Sequence, residues 1–346
     1  MNYKITPSNI PNEGILFVDH QKNNRSGHLS HALVEYKQGC VISFYSNCSS
    51  QRNNGHNGFG WIEYKRSCDN GITWGDATIL PYSWESFINH PYTISCETAV
   101  SAKENEIVAF CTRCTNPNGW EPYIEPTVII STDAGESWSE PTVLCDKCGR
   151  VYDSIVVDGV IYVLIHAAPD WLATNADHKY YIYKSSDHGK TFALHGTLPG
   201  DPTNRAYGNM VLREDGALIC YAYNKSDEYN LDYFISTDMG KTWIDSGKSF
   251  CKKRIRNPQV ARFNGGYILH GRSGCESDEL PCYFVLYKSA DGLHWDDGVY
   301  LCEAESKAAY YSNNLALNDG NHILIQSSVA YDGGRVNIAH WYIDCE

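Results

Sequence analysis

The stretch STDAGESW, Ser131 to Trp138, decides the fold, because its pattern occurs five times along the chain. An aspartate stands two residues after a serine, a glycine follows two residues later, and an aromatic residue ends the pattern. The other copies are SCDNGITW at 67–74, SSDHGKTF at 185–192, STDMGKTW at 236–243 and the shorter SADGLHW at 289–295. Such recurrence indicates an internal repeat.

Each copy follows the third strand of a unit of the same design, in which two alternating apolar strands come first and a loop precedes the third strand; the copy suits the turn to a fourth strand. The six units begin near residues 30, 95, 151, 206, 257 and 310, and the sixth lacks the repeated turn. Each unit predicts a four-stranded antiparallel sheet, and such sheets bury their faces by stacking around an axis. We therefore predict an all-β fold: one six-bladed β-propeller domain over residues 1–346, closed by a strand at 14–20.

The repeated aspartates are predicted to be structural. A carboxylate at this position can accept hydrogen bonds from the N–H groups of its own turn, and the glycine allows a left-handed backbone. The aromatic residue is expected to cover the seam with neighbouring strands. The aspartates concerned are Asp69, Asp133, Asp187, Asp238 and Asp291.

The charge balance argues against a nucleic-acid partner. The 346 residues include 28 basic and 41 acidic ones, and the net charge of −13 repels a polyanion at long range. No basic-then-apolar leader opens the chain, and the most apolar run, residues 159–168, is too short to cross a bilayer. We expect a cytoplasmic protein without a membrane partner; the sequence indicates no oligomeric state.

The 14 cysteines are expected to be reduced thiols in that compartment. Two pairs have CxxC spacing, Cys111 with Cys114 and Cys145 with Cys148, which keeps a zinc site as an alternative to scattered thiols. No phosphate-binding loop or dinucleotide fingerprint occurs, so no cofactor is expected.

The S-x-D-x-G-x-x-W pattern resembles the Asp-box of the sialidase superfamily, and the resemblance covers nearly the whole chain through the repeat. It implies the propeller fold. It is less specific for a reaction, because the superfamily contains sialidases, other glycosidases, polysaccharide lyases and propellers without catalysis.

In such a propeller the innermost strands begin around one mouth of the channel, and the loops between second and third strands rise on the same side. Aromatic rings stack on sugars, and arginines hold carboxylates, so residues at these places favour an acidic sugar as the substrate. The candidate substrate-binding residues are Arg272, Arg52, Arg150, Arg205, Arg256, Tyr152, Tyr207, Trp171 and His31. The candidate catalytic residues are Tyr311, His56, Glu97 and Asp153.

The resemblance implies roles for two residues. Tyr311, in YYSNN, matches the tyrosine nucleophile of sialidases, and Arg272, in HGRSG, matches one arginine of the three-arginine carboxylate clamp. Other family positions differ. The Arg-Ile-Pro segment is replaced by residues 29–31, the fourth-blade glutamate by the region 207–209, and the arginine expected near Asn224 is absent. Arg52 is the candidate substitute in the first blade, and His56 stands in place of the loop aspartate.

These residues favour an exo-acting glycoside hydrolase on an acidic or other small saccharide. Glycosidases generally use two carboxyl groups, for which Glu97 and Asp153 are the candidates, whereas a tyrosine nucleophile needs only one acid, such as His56. One alternative is a lyase on uronic-acid sugars that uses Arg272, His56 and Tyr311. Another is a carbohydrate-binding propeller without catalysis.

Overall fold

Six antiparallel sheets surround a central channel in the computed structural model, which describes residues 3–6, 15–29, 31–51, 57–89, 92–115, 121–170, 172, 178–263, 265–273 and 280–345. In the second to fifth blades the first strand in sequence is innermost and later strands follow outward, and in the last blade the outer edge comes from the start of the chain. This arrangement confirms the predicted six-bladed β-propeller. Within the described ranges, no helix is long and apolar enough to span a membrane.

The strands lie as follows. The chain starts with β1 (Tyr3–Thr6) and β2 (Ile15–Val18), a 3-10 helix (His20–Asn23) and β3 (Arg25–Ser26). Blade 1 contains β4 (Ala32–Lys37), β5 (Cys40–Ser49), β6 (Gly60–Ser67) and β7 (Thr78–Ile79), followed by helix α1 (Pro81–Asn89). Blade 2 contains β8 (Thr93–Val100), β9 (Ile107–Cys114), β10 (Thr127–Ser131) and β11 (Thr142–Val143). Blade 3 contains β12 (Arg150–Val157), β13 (Val160–Ala167), β14 (Lys179–Ser185) and β15 (Ala193–Thr197).

The second half continues the pattern. Blade 4 contains β16 (Arg205–Leu212), β17 (Leu218–Asn224), β18 (Asn230–Ser236) and β19 (Asp245–Phe250). Blade 5 contains β20 (Arg256–Phe263), β21 (Gly266–Ser273), β22 (Cys282–Ser289) and β23 (Val299–Ala304). Blade 6 contains β24 (Ser312–Ala316), β25 (His322–Ala330) and β26 (Val336–Cys345), and both β1 and β2 pair with β26.

The hydrophobic core is divided among the seams between blades. Buried side chains form six clusters, and each cluster joins two adjacent blades. In the seam between blades 1 and 2, for example, Phe44 and Ile62 pack with Ile94 and Ile129. Each sheet therefore buries its two faces against two neighbours, as the radial stacking requires.

The repeated turns confirm the structural assignment of the five aspartates. In the first Asp-box, Asp69 accepts hydrogen bonds from the backbone N–H of Thr73 at 2.9 Å and from the Ser67 hydroxyl at 2.7 Å. Gly71 has φ +79°, and its N–H donates to the Ser67 Oγ at 2.9 Å. The same bonds recur in the other boxes, so these carboxylates hold their own turns.

The aromatic residue of a box contacts the preceding blade. Trp138 of blade 2 donates its indole N–H to the Tyr64 hydroxyl of blade 1, and Trp243 of blade 4 donates to the Thr197 carbonyl of blade 3. Trp295 of blade 5 likewise donates to Ser249 Oγ of blade 4. The boxes therefore join consecutive blades by hydrogen bonds at the end of the channel opposite the starts of the innermost strands.

The last blade is completed by the start of the chain. In β2, Leu16 is paired with Ala339 of β26, and the Phe17 ring stacks on His340 with ring centroids 3.9 Å apart. Phe17 also meets Tyr45 of blade 1 edge-on. One aromatic side chain thus contacts both blades that meet where the ring closes.

Candidate active site

The start of the innermost strand contains a register shift in four consecutive blades. The shift falls on Glu97 in blade 2, Tyr152 in blade 3 and Tyr207 in blade 4, and in blade 5 it includes Asn257. An extra residue in a ladder leaves the regular pairing, and its side chain is re-aimed. Here the re-aimed side chains meet around the channel mouth, where they line a cavity of about 40 Å³.

That cavity also receives side chains from the first and last blades. Its walls bring together six of the sequence-predicted residues with five others. The lining residues are Leu29, His31, Glu97, Arg150, Tyr152, Tyr207, Asn257, Gln259, Tyr311, Ser312 and Asn313.

Arg150 and Glu97 form a buried ion pair at the cavity wall. The Arg150 guanidinium donates to both carboxylate oxygens of Glu97, with Nε 2.8 Å from Oε2. Its Nη1 also donates to the Tyr123 hydroxyl at 3.4 Å. Burial raises the pKa of Glu97, and the nearby guanidinium opposes that shift. Two charges from neighbouring blades are thus fixed by a bidentate contact.

Tyr311 lies directly beneath a second arginine. The Arg272 Cζ is 4.4 Å from the centroid of the Tyr311 ring, and the His28 ring meets that ring edge-on at 4.8 Å. Arg272 is 2% exposed and donates to the Lys307 carbonyl. The Tyr311 backbone is held by β25, because its N–H donates to Ser328 Oγ at 3.1 Å and its carbonyl accepts from Ser328 N at 2.9 Å.

Positive charge converges on Tyr207, which occupies the place of the expected fourth-blade glutamate. Burial and the neighbouring Tyr311 raise the pKa of Tyr207, whereas Arg150, Arg256 and Arg272 act in the opposite direction. Burial and the like charge of Arg272 act to lower the pKa of Arg256, but the phenols of Tyr207, Tyr311 and Tyr223 outweigh them and the pKa is raised. Arg256 and Arg272 are opposite each other in the first two strands of blade 5, although neither of them lines the 40 Å³ cavity. Two guanidinium groups held near each other can attract an anion.

Backbone strain accompanies this arrangement. Tyr207, Asn257 and Tyr310 have φ values of +40°, +52° and +63°, in the left-handed region that side chains other than glycine rarely adopt. All three lie at or next to the starts of innermost strands. Such strain is concentrated at functional sites.

His31 belongs to a buried polar network. The Gln326 amide donates to His31 Nδ1 at 3.3 Å and to the Phe44 carbonyl at 2.7 Å, while its oxygen lies 2.9 Å from His340 Nε2. Burial lowers the pKa of His31 to about 3, so its imidazole is neutral at the cavity wall. This side chain offers hydrogen bonds rather than charge.

Asp153 lies deeper in the channel. Its Oδ2 accepts from Asn209 Nδ2 at 2.7 Å and from Met210 N at 2.6 Å, and its Oδ1 accepts from Ser154 N at 2.8 Å. Burial raises its pKa to about 7. It lines a second cavity of about 440 Å³ further along the channel and not the cavity that contains Tyr311.

The remaining sequence-predicted residues are not gathered at this cavity in the described structure. Arg205 donates to Asp232 Oδ2 at 2.5 Å and to the Thr203 carbonyl at 2.8 Å, and it does not line the cavity. Arg52, His56 and Trp171 lie outside the described residues. The CxxC cysteines join no group of three or more potential metal ligands in the part of the chain that is described.

Sequence reasoning missed Asn313 and Gln326. The Asn313 amide donates to the Glu97 carbonyl at 2.8 Å and to the His31 carbonyl at 2.7 Å, so it ties blade 6 to blades 1 and 2. The YYSNN stretch contained this signal, since polar residues at the start of an innermost strand face the channel. Gln326 lies on β25, the second strand of blade 6. Its contacts include partners in blade 1, so its own stretch of sequence contained no signal.

This chain is similar to sialidases both in sequence and in fold. No family model matches the chain. The sialidase of Paraclostridium sordellii is 24% identical over 313 residues, which cover 83% of this chain and 69% of that protein. A resemblance to sialidases is thereby confirmed at the level of sequence.

Solved structures share the fold at low sequence identity. A protein of unknown function from Dyadobacter fermentans DSM 18053 is 12% identical, with a TM-score of 0.75 and 99% of both chains covered. The Hadza microbial sialidase Hz136 is 17% identical, with a TM-score of 0.71, covering 94% of this chain and 68% of that one. Trypanosoma rangeli sialidase in complex with 2,3-difluorosialic acid is 15% identical, with a TM-score of 0.65, covering 96% of this chain and 57% of that one.

Proposed function

We propose that this chain is an exo-acting glycoside hydrolase with sialidase-like chemistry, and that its substrate is a terminal sugar bearing a carboxylate. The observation that carries the proposal is the Arg272 guanidinium 4.4 Å above the Tyr311 ring, with Arg256 in the same cluster of charge. The sequence likeness to a sialidase supports the hydrolase class.

The substrate carboxylate is assigned to Arg272 and Arg256. The resemblance implies an arginine near Asn224, at the end of β17, which this chain lacks. Arg256 begins β20 in the next blade, and its charge acts on Tyr223, the residue before Asn224. A cation from blade 5 therefore takes the place of the one expected from blade 4. An anion between two buried guanidinium groups also relieves their mutual repulsion.

Tyr311 is assigned as the nucleophile. A sugar with a carboxylate beside its anomeric carbon repels an anionic nucleophile, whereas a phenol approaches without charge. Arg272 over the ring stabilises the negative charge that develops on the phenol oxygen. Attack forms a tyrosyl–sugar bond and breaks the bond to the leaving oxygen; the phenol proton passes to water, and the leaving oxygen takes a proton from the acid and departs as an alcohol. Water then cleaves the tyrosyl–sugar bond, giving one proton to the conjugate base of the acid, and the phenol is reprotonated, so the net configuration is retained.

Glu97 is assigned as the acid/base. Among the described residues that line the Tyr311 cavity, it is the one carboxylate. Burial raises its pKa, which is the direction that a proton donor requires, and the contact with Arg150 fixes its position. The lyase alternative is not favoured, since the sequence relative is a sialidase.

Hydrolysis of a fluorogenic sialoside tests the proposal. Tyr311→Phe is expected to lower kcat by at least ~100-fold, because the nucleophile is removed. Tyr229→Phe, at a tyrosine that is 46% exposed, is the matched control and should behave as wild type. Equal turnover by wild type and Tyr311→Phe, or a product with a new ultraviolet-absorbing double bond, would contradict the proposal.

A further inference from the structure

Two cysteines meet at the opposite end of blade 1 from the candidate active site. Cys40 is the first residue of β5, and Cys68 is the second residue of the first Asp-box. The adjacent pair, Val41 and Ser67, is in register, so the two cysteines extend the same ladder. Their sulfur atoms are 2.7 Å apart. Cys68 is exposed and Cys40 half-buried, so the pair is accessible from solvent.

The sulfur separation distinguishes between two uses of such a pair. Two thiolates on one tetrahedral zinc ion, with Zn–S near 2.3 Å, lie roughly 3.8 Å apart. The separation here is shorter than that and closer to the ~2.05 Å of a covalent S–S bond. The Tyr36 hydroxyl is 3.7 Å from the Cys68 sulfur, and a phenol is a poor zinc ligand. Within the described part of the chain the two cysteines belong to no group of three or more potential metal ligands. The geometry therefore favours sulfur–sulfur bonding over metal binding.

We propose that Cys40 and Cys68 are a redox-modification site, a dithiol that small disulfides of the glutathione type oxidise to a disulfide within blade 1. The Cys68 thiolate attacks one sulfur of the small disulfide and displaces one thiolate, which forms a mixed disulfide. Cys40 then loses its proton, attacks the Cys68 sulfur and displaces the second thiolate. Two protein thiols are oxidised, and one small disulfide is reduced to two small thiols.

The order of the two steps follows from exposure. Cys68 is exposed and can be reached by the small disulfide, whereas burial and the contact with Cys68 raise the pKa of Cys40 to about 11. Cys40 therefore stays a thiol until the mixed disulfide places a reactive sulfur beside it. Cys96 and Cys111 are also opposite each other in neighbouring strands, but both are fully buried, which makes them an internal comparison.

The bond would close a long hairpin at its base. Cys40 and Cys68 are 28 residues apart, and they lie at the start of β5 and just after the end of β6. A cross-link of this kind restricts the unfolded chain. The oxidised protein is therefore expected to have a higher Tm than the reduced protein, and the difference should vanish in Cys68→Ser.

Peptide mapping tests the proposal. The whole chain is equilibrated in reduced–oxidised glutathione buffers of increasing oxidation, its remaining thiols are alkylated, and it is digested with trypsin without reduction. Cys40 shares residues 38–52 with Cys48, and Cys68 shares residues 67–103 with Cys96, so fragmentation of the linked peptides must assign the sulfurs. The expected product links Cys40 to Cys68 and returns to two thiols as the buffer becomes reducing.

Three variants complete the design. Cys40→Ser and Cys68→Ser should each abolish the linked peptide and leave at most a mixed disulfide on the remaining partner. The double variant Cys145→Ser with Cys148→Ser is the matched control and should retain the Cys40–Cys68 link. The proposal is overturned if both thiols remain alkylatable in the most oxidising buffer, or if the link joins Cys48 or Cys96 instead.

Discussion

At the scale of single residues, the anion site predicts that two arginines at strand starts differ in function. Arg256→Gln should raise KM for an acidic sugar about 10- to 100-fold, because each charged hydrogen bond contributes roughly 1.5–3 kcal/mol. Arg205→Gln is the matched control, since Arg205 is paired with Asp232, whereas the charge of Arg256 acts on Tyr207 and Tyr311 beside Arg272. Steady-state kinetics of both variants check this, and equal effects would refute the assignment of Arg256.

Asp153 predicts a pH-dependent stability. Burial raises its pKa to about 7 in the folded protein, well above the ordinary 3.8 of an aspartate, so the folded state holds the proton more tightly. The stability it contributes is complete below pH ~4 and is lost as the pH rises through about 7, by up to ~4 kcal/mol at ~1.4 kcal/mol per pKa unit. Asp153→Asn, which cannot ionise, should remove this slope.

Urea unfolding of wild type and Asp153→Asn between pH 4 and pH 8 measures that slope. The variant loses the bond from Ser154 N, which adds an offset that does not depend on pH. Asp215→Asn, at a side chain that is 56% exposed, serves as the control and should keep the wild-type slope. A constant difference between wild type and Asp153→Asn across the range would contradict the raised pKa.

At the scale of elements, the strained start of β20 predicts a difference between two substitutions that both remove a side chain. Asn257 has φ +52°, a conformation that costs other non-glycine residues roughly 1–2 kcal/mol. Asn257→Ala should therefore unfold at lower denaturant than Asn257→Gly, with a difference of about 1 kcal/mol. Both variants lose the same amide side chain. Denaturant unfolding of the two therefore measures the free-energy cost of the left-handed backbone conformation. Identical midpoints would argue against strain.

The innermost strands show what could and could not be predicted from the sequence. Strand existence and order followed from alternating apolar residues and from the Asp-boxes, whose bonds are local and lie within a few residues. The register shifts at Glu97, Tyr152 and Tyr207 depend on which residues of the second strand are opposite. For that reason the mouth could be predicted as a region, whereas the separation of Asp153 and Arg205 from Tyr311 could not.

At the scale of the whole molecule, closure of the ring predicts a strong effect at one residue of β2. Phe17→Ala should reduce the free energy of unfolding by about 2–3 kcal/mol, somewhat less than for a fully buried phenylalanine, because it removes contacts with His340 and Tyr45. Leu16→Ala is the control on the same strand, since Leu16 is 55% exposed and should change stability little. Denaturant unfolding checks both, and equal losses would mean that strand pairing alone closes the ring.

The tryptophan that ends an Asp-box contacts the preceding blade, and this contact affects where the ring of blades opens. Four boxes end in an indole, but the box of blade 3 ends in Phe192, which has no N–H to donate and packs its ring against Phe110 at 5.7 Å. At the box end of the seam between blades 2 and 3, the His188–Glu106 contact at 3.0 Å takes the place of an indole hydrogen bond. The other end of that seam is held by Arg150 and Glu97. We expect this seam to open first at its box end, so that amide exchange is faster in the blade 3 box than in the four boxes that end in tryptophan.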